Sequence, residues 1–194
     1  MYATHDAFRR DLDRLATAVG DGAADRPGVR AGWANFVRQL DVHHTVEDAV
    51  LWPRVSAALG DRPADRALMA EMAAEHAALH PALTAVEEGF RAPDNDLDDR
   101  ITTLARILGD HMEHEENSAL PLIQEVLTSK DWDAFRGAMA RRQGPSGAAV
   151  YVPWVLDDTT ARQRKTFLAA MPGPVAIVNS VLWERRYRNH GWWR

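Results

Sequence analysis

His43-His44-Thr45-Val46-Glu47-Asp48 and His111-Met112-Glu113-His114-Glu115-Glu116 are the two stretches that decide the fold of this chain. Each begins with a histidine, has a glutamate four residues later, and is followed by a proline ten residues beyond that histidine, Pro53 or Pro121. A spacing of four residues places two side chains on one face of an α-helix, one turn apart. The offset of 68 residues between the stretches therefore predicts two related helical hairpins.

Two further groups of histidines extend the pattern. His76 and His80 form another pair four residues apart, and His5 aligns with His76 at an offset of 71. Arg9 occupies the position in the first helix that corresponds to His80 in the third, so the set is not symmetric. Burying these imidazoles and carboxylates in a bundle core without partners would cost roughly several kcal/mol each. Metal coordination is therefore favoured over independent structural histidines.

The residue types indicate which metals suit such a site. Imidazole nitrogens with a few carboxylates are typical of iron, manganese or zinc sites, and seven ligands are more than one tetrahedral ion needs. Two ions are therefore predicted. The predicted ligands are His5, His43, Glu47, His76, His80, His111 and Glu115. His44 and His114 lie about 100° and 300° around their helices from His43 and His111, and are interpreted as flanking or solvated residues.

Composition limits the class of protein. The 194 residues suffice for one domain with a sizeable core, and the helix-forming residues that dominate them favour an all-α fold. A net charge of −5 gives no support to nucleic-acid binding. The absence of cysteine excludes thiolate ligands and disulfides. No apolar run approaches the roughly 20 residues of a membrane-spanning helix, and a cytoplasmic protein is expected.

Glycines and prolines divide the chain into four long helical stretches, followed by a short fifth helix. The stretches are predicted at residues 4–19, 29–59, 63–91 and 97–127, and the fifth helix at 131–141. Ala92-Pro93-Asp94-Asn95-Asp96 is predicted to be a loop. Because short loops join antiparallel neighbours, the predicted fold is an up-down four-helix bundle.

Gly144-Pro145-Ser146-Gly147 breaks the helical register and predicts a division into a bundle, residues 1–143, and a partly helical extension, residues 144–194. A helix is predicted over 159–171, and the closing residues 184–194 carry a local charge of +3. One interpretation is docking to a protein partner or an anionic surface. The preferred interpretation is that the aromatic residues of the extension pack on the outside of the bundle. A third interpretation is that the extension covers one end of the bundle and controls access to the metals. These aromatic residues are Trp154, Phe167, Trp183, Trp192 and Trp193.

The motifs over about residues 1–130 together resemble the hemerythrin or HHE cation-binding family. The resemblance implies a four-helix bundle that holds a non-haem di-iron centre, with two iron ions bridged by oxo or hydroxo. It implies that His76, His80 and His111 hold one iron. His5 and His43 would then hold the other, with Glu47 and Glu115 bridging. The two-histidine iron would have an open position for dioxygen, peroxide or another small ligand.

The pair His111 and Glu115 departs from the animal oxygen carriers, which have an aspartate five residues after the histidine. It resembles the bacterial HHE branch, and this disfavours simple oxygen transport. The ferritin-like alternative would require Glu-x-x-His pairs, which are lacking at the relevant positions. The implied function is enzymatic detoxification of peroxide or nitric oxide, by a peroxidase-like or catalase-like activity. Reversible oxygen binding or storage, and oxygen or iron sensing, remain alternatives.

Tyr2 precedes His5 by three residues, close enough in sequence to approach the iron. The alternative is that Tyr2 belongs to a frayed N-terminus, and the sequence leaves both interpretations open.

Overall fold

Helices account for nearly all of residues 1–91 and 96–194, the parts of the chain that the computed structural model describes. None of the residues in these two ranges lies in a β-strand. The α-helices are α1 (Tyr2–Gly20), α2 (Pro27–Val46), α3 (Trp52–Ala58), α4 (Pro63–Arg91), α5 (Leu97–His114), α6 (Leu120–Val126), α7 (Ser129–Leu156), α8 (Ala161–Ala169), α9 (Gly173–Val178) and α10 (Glu184–Asn189). Three π-helical turns join some of them: π1 (Glu47–Leu51), π2 (Glu115–Ala119) and π3 (Asn179–Trp183).

These elements confirm the predicted all-α class and most of the predicted helices. The second predicted stretch is formed by α2, π1 and α3 in succession, and the fourth by α5, π2 and α6. The predicted fifth helix lies within α7, and the helix predicted over 159–171 is α8. Residues 92–95 of the predicted loop lie outside the described residues.

Pro53 and Pro121 lie two residues beyond the ends of π1 and π2. A proline has no N–H with which to continue the α-helical hydrogen bonds, and in both of these helices the turn before it is wider than an α-helical turn. In π1 the N–H of Trp52 donates to the carbonyl of Glu47, five residues earlier. In π2 the N–H of Leu120 donates to the carbonyl of Glu115 in the same way. Both glutamates of the repeat therefore begin a π turn.

Contacts divide the chain into two compact units, residues 40–142 and residues 1–39 with 143–194. We call them the central unit and the terminal unit. The division predicted from the sequence, residues 1–143 and 144–194, stays a prediction. None of the helices in the described residues combines the length and hydropathy that a bilayer-crossing segment requires.

In the central unit, α4 packs along α5, and α3 contacts both α4 and α6. The buried residues of α4 include Met69, Met72, His76, Leu79 and Val86, spaced mostly by three and four residues. This spacing forms the stripe with which a helix faces a neighbour. On α5 the corresponding stripe includes Ile101, Leu104, Leu108 and His111. In each stripe, histidine therefore stands at a core position.

In the terminal unit, Trp154 of α7 is fully buried and makes a tilted ring contact with Phe8 at 5.2 Å. Its indole Nε1 donates to Asp11 Oδ2 at 2.7 Å, and Arg10 Nη1 donates to the Trp154 carbonyl at 2.9 Å. Burial raises the pKa of Asp11, although Arg10 and the indole counteract this. The contact with Phe8 places Trp154 in the core of this unit, whereas the other aromatic residues of the extension are half-buried.

Gly144 divides α7 into two helical segments. Its φ of 65° and ψ of 175° are outside the helical region, and glycine tolerates this φ without a Cβ clash. The predicted break in helical register at this position is therefore present in the structure.

The last residues of the chain pack against α2. A Cβ at Gly28 would lie 2.4 Å from the carbonyl oxygen of Gly191, and a Cβ at Gly32 would lie 2.6 Å from the Trp193 ring. The backbone N–H of Trp193 donates to the Gly28 carbonyl at 3.0 Å. Two glycines one helical turn apart therefore make room for the end of the chain.

Candidate metal centre

A group of ligand-type side chains converges in the interior of the central unit. His76 Nε2 lies 3.2 Å from His111 Nε2 and 3.7 Å from Glu47 Oε2. His43 Nε2 lies 3.1 Å from Glu47 Oε1. The helical spacing of four residues brings His43 and Glu47 to one face, and the packing of α4 along α5 brings His76 to His111.

His44 belongs to the same group. Its ring stacks on His76 with centroids 3.9 Å apart and an angle of 17° between the planes. It meets His111 edge to face at 5.3 Å. One nitrogen from each of His44, His76 and His111 lies within 4.8 Å of the other two. Three imidazoles at this spacing are a suitable set for one metal ion.

The surroundings of the Glu47 carboxylate indicate whether a cation fits in this group. Its side chain is fully buried, and neither carboxylate oxygen accepts a hydrogen bond from the described part of the chain. His43 lies near one oxygen but without hydrogen-bond geometry. Burial and the carboxylate of Glu115, which is also fully buried, raise the pKa of Glu47 well above its ordinary value. A metal ion would compensate the cost of burying this pair of carboxylates.

Carboxylates on the outer side of the cluster orient two of the imidazoles. Asp48 Oδ1 accepts a hydrogen bond from His76 Nδ1 at 2.8 Å, and Glu75 Oε2 accepts one from His111 Nδ1 at 2.8 Å. With Nδ1 carrying the proton, Nε2 of each ring is left as the metal-binding atom. Burial lowers the pKa of His111, which favours the neutral imidazole that binds metal.

Glu75 also extends the network to the surface. Its Oε1 accepts a hydrogen bond from His114 Nδ1 at 2.7 Å. The side chains of Glu75 and His114 are 32% and 33% exposed, whereas His111 is 1% exposed. A hydrogen-bonded path therefore runs from solvent to a buried imidazole.

The predicted ligands differ in where the structure places them. His43, Glu47, His76, His111 and Glu115 are all buried in the central unit. His5 is buried in the terminal unit, with 1% of its surface exposed. His80 is exposed on α4 and lies outside the group, because Leu79 occupies the next inward position of the stripe after His76. Tyr2, considered as a residue near the iron, is 52% exposed.

The sequence pattern does not reveal the contacts of His44, Asp48 and Glu75. On an ideal helix His44 lies about 100° from His43, which predicts a flanking position, whereas in the structure its ring stacks on His76. The spacing along α4 does not by itself separate the buried His76 from the exposed His80, because the two lie only about 40° apart on the helix. Asp48 and Glu75 each stand beside a predicted ligand in the sequence, but a single carboxylate there is too common to indicate a role.

Comparison with known families gives one match. The model of the family described as "Hemerythrin HHE cation binding domain" matches residues 1–123, well over half of the chain. No curated protein and no solved structure matches the chain. Together with the all-α structure, the match confirms the predicted hemerythrin-like fold with additional C-terminal helices.

Proposed function

Since the chain belongs to the hemerythrin HHE cation-binding family, we propose that it is a non-haem di-iron protein. The histidine and glutamate groups described above support cation binding, and iron suits their mixture of imidazoles and carboxylates. One iron would be held by His44, His76 and His111. His5 and His43 would hold the other, and Glu47 and Glu115 would supply the carboxylate ligands.

This assignment puts His44 in the place of His80. The observations that support it are the stacking of His44 on His76 and the exposure of the His80 side chain. His5 keeps the role that the family resemblance gives it, and its burial supports that role. The iron held by His5 and His43 would then have one imidazole fewer than the other, and this would leave a position for a small ligand.

The residues next to the proposed metal ligands determine which molecules can approach the metal. Met72 lies one turn before His76, and Leu108 lies one turn before His111, and both are fully buried. Leu104, two turns before His111, extends the same apolar stripe. Apolar neighbours of this kind favour small uncharged molecules such as peroxide, nitric oxide or dioxygen over larger or charged substrates.

The path through Glu75 supports reduction of peroxide as the reaction. Reducing one hydrogen peroxide to two waters consumes two protons and two electrons. Two bound ferrous ions would supply one electron each, and an external reductant would return them to the ferrous state. His114 carries a proton at Nδ1 towards Glu75 Oε1, next to the ligand His111. Reversible oxygen binding instead needs a pocket from which protons are excluded. The path ends at His111, on the three-histidine side of the proposed centre and not at the open position, so it connects the centre with solvent through one of its ligands. This connection favours enzymatic detoxification over storage.

Steady-state consumption of hydrogen peroxide by the iron-loaded protein, with an external reductant, tests this proposal. We expect many turnovers per chain. His114→Gln should lower kcat about tenfold or more at unchanged iron content, because it removes the solvent-exposed member of the hydrogen-bonded path through Glu75 to His111. His80→Gln is the matched control, as it replaces an exposed histidine on a neighbouring helix and should leave kcat unchanged.

Two outcomes would overturn the proposal. Binding of a single oxygen per centre, reversed on deoxygenation and without peroxide turnover, would indicate an oxygen-binding module. Equal iron content in the wild type and in His76→Ala would refute the metal assignment itself.

A further inference from the structure

An exposed aliphatic face lies on the C-terminal helical segment formed by α9, π3 and α10. Ile177, Val178, Val181 and Leu182 are 68%, 36%, 72% and 47% exposed. Their spacing places them on one side of the helix. Single exposed aliphatic residues are ordinary, but four adjacent ones on one face mark an interaction surface.

The same segment becomes strongly basic towards its end. Arg185, Arg186 and Arg188 of α10 are exposed, as are Arg162 and Lys165 of the neighbouring α8. Residues 160–194 contain seven Arg and Lys against one acidic residue, which gives +6. Because the whole chain carries −5, the remaining residues carry −11. The positive charge is thus concentrated beside the aliphatic face.

The charges argue against a second copy as the occupant of this face. The single acid of residues 160–194 is Glu184, which already pairs with Arg164 and Arg188. Two copies packed through their aliphatic faces would bring two basic segments together without carboxylates to neutralise them. Such a dimer would therefore be opposed by repulsion between like charges.

We propose that the aliphatic face and the arginines beside it bind the surface of an anionic lipid bilayer. The aliphatic side chains enter the boundary between headgroups and acyl chains, and the arginines reach the phosphates through their long apolar stems. The segment lies on the bilayer and does not cross it. This inference is independent of the metal chemistry.

The acidic remainder of the chain opposes binding only weakly at physiological salt. The Debye length there is about 8 Å, so carboxylates farther than this from the bilayer are largely screened. Each arginine at the bilayer surface strengthens binding roughly fivefold. Binding should therefore require anionic lipid and weaken as salt is added.

Co-sedimentation of the full iron-loaded chain with large vesicles tests the proposal. One set of vesicles is phosphatidylcholine alone, and the other contains phosphatidylcholine and phosphatidylglycerol. We expect binding to the second set only. Arg185→Gln with Arg186→Gln should weaken it roughly 25-fold, and Val181→Ser with Leu182→Ser should weaken it by about tenfold or more. These residues are exposed, so helix content and iron content should not change.

The control is Arg106→Gln, which removes an exposed arginine on α5 and should leave vesicle binding unchanged. Absence of binding to the phosphatidylglycerol vesicles would overturn the proposal. So would binding that survives the two serine substitutions, because the aliphatic face would then have no part in it. Sedimentation equilibrium identifies the rival occupant: a dimer that Val181→Ser dissociates, without vesicle binding, would assign the face to a second copy.

Discussion

The two halves of the repeat, residues 43–58 and 111–126, have the same sequence of helical elements but differ in several side chains. Under the offset of 68 residues, π1 coincides with π2 and α3 coincides with α6. His44 of the first half, however, corresponds to Met112 of the second. His44 stacks on His76, whereas Met112 is an apolar core residue, 1% exposed. The shared spacing of histidine, glutamate and proline sets the backbone, and the residue after the first histidine sets how many imidazoles meet.

The largest effect should come from the positions that the halves share. His43→Ala and His111→Ala should each lose iron, and each should lower the free energy of unfolding of the iron-loaded protein by roughly 3 kcal/mol or more, because metal binding and folding are linked. Metal analysis and thermal unfolding with and without iron measure both quantities. Retention of full iron content by one variant alone would break the functional equivalence of the halves.

A smaller effect should come from the position where the halves differ. His44→Met copies the second half into the first and should weaken binding of one iron about tenfold or more while the other iron remains. The matched control is His80→Met, which changes an exposed histidine and should leave iron binding unchanged. If His80→Met loses iron and His44→Met does not, the ligand set predicted from the sequence is right and ours is wrong.

The smallest effect should appear outside both halves, at Tyr187, and it depends on pH. The phenol donates to Asp157 Oδ2 at 3.1 Å, and burial, followed by the charge of Asp157, raises its pKa. Above about pH 10 the phenol of the unfolded chain loses its proton while that of the folded chain keeps it. The unfolded state then binds fewer protons, so the free energy of unfolding falls as pH rises.

Tyr187→Phe should therefore cost about 1 kcal/mol at pH 8, from the lost hydrogen bond, and less at pH 11. Denaturant unfolding at the two pH values measures the difference. A cost that grows with pH would contradict the raised pKa. Iron content should be the same in both proteins, which separates this region from the repeat.

The sequence predicted the helices well because their determinants are local. Gly60, with a positive φ, and Pro63 are local signals, so α4 begins where the sequence predicts it, at Pro63. Apolar spacing and ligand pairs likewise predicted buried histidines at 43, 76 and 111. The π turns were not predicted, although Pro53 and Pro121 were recognised as part of the repeat. A proline can be accommodated by a kink or by a wider turn, and only the packing decides which.

The place of His44 and His80 was harder to predict for a different reason. On an isolated helix, His80 lies only about 40° from His76, and both directions fit within an apolar stripe. The choice between them depends on how α4 packs along its neighbour, which is a tertiary property. The burial of Trp154 in the core of the terminal unit depends in the same way on long-range contacts with Phe8 and Asp11.

Trp52, in the first half of the repeat, is a fluorescent residue close to the candidate metal centre. Its indole follows π1 directly, is 5% exposed, and lies 6.2 Å from the ring of His76. An indole so close to a metal ligand loses its excited state to a bound transition metal much faster than a distant one. Iron uptake is therefore expected to quench the intrinsic fluorescence. The part of this quenching that is absent in Trp52→Phe comes from Trp52, and it reports iron binding near His76 in real time.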